Sequence, residues 1–147
     1  MTQIPLIGKH ITNNEYKLTF KCPPTSIVQE VEQYGNLSIL IGKGSVDFEN
    51  IYAQISVYPM SEEKESERFS YAVTATSSAD VAGYKGITFK TKWNDTVTKR
   101  GITYHKTYLI KSNAKLYELY DYKGSANPEG KDNEDFFKVV STFTIIQ

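Results

Sequence analysis

Apolar and polar residues alternate with a period of two along most of this chain. The longest such stretch is Gly101 to Gly124, GITYHKTYLIKSNAKLYELYDYKG. On one arm Ile102, Tyr104, Tyr108 and Ile110 alternate with Thr103, His105, Thr107 and Leu109; on the other Leu116, Tyr117, Leu119, Tyr120 and Tyr122 crowd together. β-Branched and aromatic residues at this density suit a pleated surface, and Ser112-Asn113 between the arms tolerates a turn. Both faces of the predicted hairpin are apolar. It therefore belongs near the middle of a sheet, with helices expected on both faces of that sheet.

The same period predicts strands over Tyr16 to Lys21 (YKLTFK), Leu37 to Gly42 (LSILIG), Ile51 to Tyr58 (IYAQISVY) and Ile87 to Trp93 (ITFKTKW). Pro23-Pro24 and Pro59 stop two of them. Ile27, Val31 and Tyr34 have helical spacing, yet Gly35-Asn36 behind them is a hairpin signal, so Ile27 to Tyr34 reads as a strand. Residues 1–15 read as a mildly apolar lead-in, and Lys43 to Asn50 and Asn94 to Arg100 as polar links. Ser61, with Glu62-Glu63 in the first turn, starts a predicted helix from about Glu62 to Ser77. Asp132 or Asn133 caps a closing helix whose apolar face is Phe136, Phe137, Val139, Val140 and Phe143. The resulting order, β-β-β-β-α-β-β-β-α, is an α+β domain: an antiparallel sheet of six to seven strands, over one domain spanning 1–147. It is incompatible with a doubly wound nucleotide-binding sheet.

Composition removes further classes. Seventeen basic residues balance 17 acidic ones, so there is no electrostatic case for nucleic acid or an anionic membrane surface. No run is long enough for a membrane span, and residues 1–25 lack a secretory signal pattern, which as it stands predicts a cytoplasmic protein. A chain already relieved of its leader would read the same way and belong to the cell envelope. Cys22 is the only cysteine, so no internal disulfide can form, and beside Pro23-Pro24 it reads as structural.

Catalytic chemistry finds little support. His105 reads as a strand histidine satisfied by a hydrogen bond rather than as a general base, and His10 has no partner to name. Asp132, Glu134 and Asp135 lack calcium-loop spacing and suit the first turn of a helix. The glycines make no phosphate loop, and the serines have no nucleophile-elbow context. No catalytic, metal or cofactor residue is therefore assigned, and no cofactor is expected. The tyrosine excess, 11 residues, is the remaining signal: Tyr104, Tyr108, Tyr117, Tyr120 and Tyr122 are the candidate binding surface, weighed against plain core packing.

Four stretches carry a family resemblance: YKLTFKCPP, IYAQISVYP before a helix, GITYHKTYLIKSNAKLYELYDY, and the ending DNEDFFKVVSTF. Together they resemble the PsbP/DcrB-like superfamily, small domains that include bacterial envelope lipoproteins and effector-associated chaperones of type VI secretion. The opening departs from the Leu-Pro, Trp-Asp style of the secretion chaperones. The resemblance implies a sheet sandwiched by helices, no catalytic residues, and action by binding. The expectation is thus a non-enzymatic module contacting protein or apolar peptide through its aromatic sheet, with a small-molecule or lipid carrier as the alternative. Homodimerisation stays open.

Overall fold

The computed structural model describes residues 9–59, 73–81, 83–96, 99–127, 129 and 132–146. Strand β1 is Lys9–Asn13, β2 Leu18–Cys22, β3 Ser26–Gln33, β4 Asn36–Lys43 and β5 Ile51–Pro59. They are followed by β6 Val73–Val81, β7 Tyr84–Asp95, β8 Gly101–Ser112 and β9 Lys115–Asp121, then helix α1 Glu134–Thr142 and the short β10 Thr144–Ile145. Seven strands form one antiparallel sheet in the order β3-β4-β5-β9-β8-β7-β6, and β1-β2-β10 form a second. The β8–β9 hairpin occupies the middle of the large sheet, where its two apolar faces predicted it.

Alternation divides the large sheet cleanly. On one face Leu37, Ile39 and Ile41 of β4, Ala53, Ile55 and Val57 of β5, Ile110 of β8, and Tyr117 and Leu119 of β9 point into the main core. There they meet Phe136, Val139 and Phe143 of the closing segment, together with Leu18, Phe20 and Cys22 of the small sheet. The opposite face carries a smaller buried cluster of Tyr58, Phe89, Leu109 and Leu116. It also carries a polar pair, the Tyr58 hydroxyl donating to Glu118 Oε2 at 2.8 Å.

Several expectations need correction. Helices on both faces are not what the described residues contain: one helix and a small sheet cover one face. Of the helix expected over 62–77, residues 62–72 lie outside the described residues, while Val73 to Ser77 belong to β6. Phe69, Val73 and Thr76 imitate helical spacing, but VTATSSADV is rich in β-branched and small residues and pairs with β7 through a tight turn at Gly83. The lead-in holds β1, which pairs with β2 from Lys9↔Cys22 to Asn13↔Leu18. Asn133 does occupy the N-cap position, yet its side chain makes no capping bond.

The turns after β3 and β8 each sit one residue away from the sequence signal. Gln33 pairs with Asn36 and Ser112 with Lys115, so the turns are Tyr34-Gly35 and Asn113-Ala114. All four turn residues have positive φ, from 55° to 77°, the twist that two-residue hairpins require.

Candidate functional site

The five candidate tyrosines do not share one surface. Tyr117 is fully buried: its hydroxyl donates to the Tyr16 carbonyl at 2.8 Å, and its ring meets Phe143 edge-on at 6.1 Å. Tyr108, half-buried on the same face, lies 6.2 Å from Phe136, with Lys106 Nζ 5.6 Å from its ring centroid. Tyr104 joins the backbone of Ser125 through paired bonds of 2.8 and 2.9 Å and is also half-buried. Tyr120 and Tyr122 are the two that come together. Their rings are 6.2 Å apart, edge to face, on the side of the sheet opposite Tyr117.

Around those two rings is a cleft of about 760 Å³, placed where β7 and β9 end and β5 and β8 begin. Tyr120 stacks on His105 with ring centroids 5.6 Å apart and planes 13° apart, and Tyr122 meets Phe48 edge-on at 6.2 Å. The wall is therefore a continuous run of four rings, His105–Tyr120–Tyr122–Phe48. Trp93 of β7 also lines the cleft, its indole N–H held by Thr91 Oγ1 at 3.2 Å. Phe48 is 62% and Trp93 46% exposed, and Glu49, Asn94, Arg100 and Lys123 supply the polar lining. The Phe48 loop is shaped by Asp47, which accepts from Ser45 Oγ at 2.8 Å and Asn50 Nδ2 at 2.7 Å. Burial pushes the Tyr120 phenol above its ordinary range, so it stays protonated.

His105 fits the expectation of a satisfied strand histidine. Its Nδ1 lies 2.7 Å from the Asp121 carbonyl, which can only accept, so Nδ1 carries the proton. In the neutral ring Nε2, 2.9 Å from Thr103 Oγ1, then accepts from that hydroxyl. Both nitrogens are engaged. Gly124, at φ +73°, closes over the ring, and a Cβ there would stand 2.5 to 2.9 Å from three imidazole atoms. The loop after β9 thus clamps the ring that backs the cleft.

Asp121 secures that loop. Its Oδ1 accepts from the Gly124 amide at 2.7 Å and from Asn133 Nδ2 at 2.6 Å, while Asn133 also donates to the Tyr52 carbonyl at 2.8 Å. Asn133 forgoes capping because these bonds tie the helix start to β5 and β9. Oδ2 is buried with no hydrogen-bond partner among the described residues. Burial raises the carboxyl above its ordinary pKa, against the lowering influence of the Asn133 and Gly124 bonds.

A folded-state pKa above the unfolded value means that the folded chain binds the extra proton. Stability is then full below the unfolded pKa, near about 4, and falls as pH rises from there through the folded value. Asp121→Asn keeps the Oδ1 acceptor and removes the titration. From pH 4 to 7 the denaturation midpoint of the wild type should fall relative to that of the variant as pH rises. A difference between them that stays constant over this range would contradict the raised carboxyl pKa.

Other expected groups are accounted for structurally. Cys22 is buried and its thiol pushed up by that burial; His10 Nε2 lies 2.7 Å from Thr19 Oγ1. Asp132 accepts from Ser125 Oγ at 2.5 Å, and Asp135 faces Lys138 at 3.9 Å. Among the described residues no cluster of His, Cys, Asp or Glu is fit to hold a metal, and no helix is long and apolar enough to cross a membrane. Sequence reasoning missed Phe48, Trp93, Glu49, Arg100 and Lys123. Their only signal was an aromatic residue set among polar ones in the loop SVDFEN and at the strand end KWND.

No protein-family model and no curated protein matches the sequence. Solved structures do match the fold. Cyanobacterial PsbP (CyanoP) from Synechocystis superposes with a TM-score of 0.60 at 12% identity, over 97% of this chain and 95% of its own. A crystal structure from Bacteroides thetaiotaomicron gives a TM-score of 0.55 at 12% identity, over 95% of this chain. The chain spans 49% of that protein's length. The fold is PsbP-like.

Proposed function

We propose that this protein is a non-catalytic binding module and that its ligand enters the aromatic cleft beside Tyr120. The observation that carries this reading is the cleft itself: four contiguous rings and Trp93 around a space within the roughly 300–1,000 Å³ of small-molecule sites. The one histidine there is held by its neighbours, Nδ1 donating to the Asp121 carbonyl and Nε2 accepting from Thr103, as a ring that backs the wall. Action by binding is also what the sequence's resemblance to the PsbP/DcrB-like superfamily implies. A second reading, a protein partner anchoring one apolar side chain in the same cleft, is favoured by the exposure of Phe48 and Trp93.

Trp93 is the only tryptophan, so its indole N–H gives a single, assignable NMR signal inside the cleft. Titration with a simple aromatic alcohol, 3-phenyl-1-propanol, should shift that signal saturably, and Phe48→Ala should weaken the response. If neither this probe nor its carboxylate analogue moves the Trp93 signal, the cleft is not a small-molecule site.

A further inference from the structure

We infer that the cleft selects an anionic ligand: a small organic carboxylate with an aromatic or apolar body. The inference rests on the cleft being the binding site and concerns which chemistry it accepts. Arg100, Lys123 and Asn94 line the cleft with hydrogen-bond donors, against Glu49 as the one acidic side chain. Among the described residues neither Arg100 nor Lys123 is engaged in an ion pair, and neither is Glu49. Of the other polar atoms of the wall, the Tyr120 and Tyr122 hydroxyls can donate or accept, and the rest are committed within the protein. The indole N–H is bound to Thr91, and Thr103 Oγ1 and both His105 nitrogens are bound as described above. What is left to meet a ligand's polar end is therefore mostly donors and carries a net positive charge.

Arginine's planar fork matches a carboxylate with two parallel bonds, and lysine adds a second charge from across the loop after β9. The aromatic wall beside them covers the ligand's body, while the exposed cations meet its carboxylate at the rim, where the contact is screened by salt. A neutral sugar would leave the charges of Arg100 and Lys123 without a counter-charge, although Glu49, the Asn94 carbonyl and the Tyr120 and Tyr122 hydroxyls could accept from its donors. Charge complementarity and the volume of the cleft together favour a small aromatic acid.

The test pairs 3-phenylpropanoate with 3-phenyl-1-propanol, which share one body and differ in charge. Calorimetry and the Trp93 indole signal should report one site per chain, with the carboxylate bound about tenfold tighter than the alcohol, the scale of one charge-assisted contact. Arg100→Gln and Lys123→Gln should each remove several-fold of that preference without moving the melting temperature, because both side chains are exposed. Glu49→Gln should tighten carboxylate binding, a gain that mere damage to the fold would not produce. Raised salt should weaken the carboxylate and leave the alcohol unchanged. Equal affinity for acid and alcohol, or indifference to the two cation variants, would overturn the inference while leaving the cleft as a binding site. A stronger Trp93 response to the neutral peptide N-acetyl-Gly-Phe-Gly-amide than to the acid would overturn it in favour of a partner's side chain. Silence to all three probes would remove the binding site itself.

Discussion

Ending the chain after Lys131 is expected to leave a protein that neither melts cooperatively nor stays soluble. The lost segment supplies Phe136, Val139, Phe143 and Ile145, all buried in the main core. At about 1.5–3 kcal/mol for each such side chain, their burial is comparable with the whole stability of an ordinary domain, about 5–15 kcal/mol. The segment is also tied in by hydrogen bonds. Strand β10 pairs with β2 at Thr144↔Thr19 and Ile145↔Leu18, and the Ile146 amide donates to the Lys17 carbonyl at 2.8 Å. The Lys21 amide donates to Thr142 Oγ1 at 2.8 Å, and Asn133 binds both Tyr52 and Asp121. Removing it strips the cover from the apolar face of β4, β5 and β9 and leaves Leu18 and Phe20 half-packed. A dispersed proton–nitrogen spectrum and a sharp thermal transition from residues 1–131 would contradict this.

That dependence on the chain's end was readable beforehand, because DFFKVVSTF is too apolar on one side to be a solvated helix. Other elements were readable for the same reason: where alternation is strict, as in LTFKC, IYAQISVYP and ITFKTKW, the strand appears, although Ile87 and Trp93 of the last stay exposed. Three strands gave weak signals. KHITN has charged and polar ends, VTATSSADV has small residues that bury little, and the two residues of β10 are fixed only by their pairing with β2. The turns were found but placed one residue early or late. Residue preference marks where a chain can turn, whereas cross-strand pairing decides which two residues take positive φ.

The candidate site was half readable for a related reason. Tyr120 and Tyr122 were identifiable as amphipathic rings on a strand. Their cleft partners come from loops and strand ends up to seventy-odd residues away in sequence, gathered only by the antiparallel order β5-β9-β8-β7. Asp121 was invisible in the same way: nothing in LYDYKG distinguishes a carboxylate that anchors a helix start from one that simply ends a strand.

The sharpest contrast in the sheet lies within four residues of β9. Tyr117 and Tyr120 stand opposite Val57 and Gln54 of β5 and, three positions apart, project to opposite faces. Tyr117 is 0% exposed, fills the space between β9 and Phe143, and satisfies the Tyr16 carbonyl. Tyr117→Ala empties that space and leaves the carbonyl without its partner, so a loss of about 3–5 kcal/mol is expected, the range for deleting a buried aromatic side chain. Tyr120 is only partly buried and contacts His105 and Tyr122, rings that the Asp121–Gly124 loop holds independently. Tyr120→Ala should therefore lose clearly less stability, about 1–2 kcal/mol, the common range for a single substitution. It should also abolish the response of the Trp93 signal to aromatic probes, since it breaks the ring wall at its centre. Chemical denaturation of both variants, read beside 3-phenyl-1-propanol and 3-phenylpropanoate titrations, separates the two roles. Equal large losses of stability would mean that both faces are core, and undiminished probe binding in Tyr120→Ala would move the binding site away from β9.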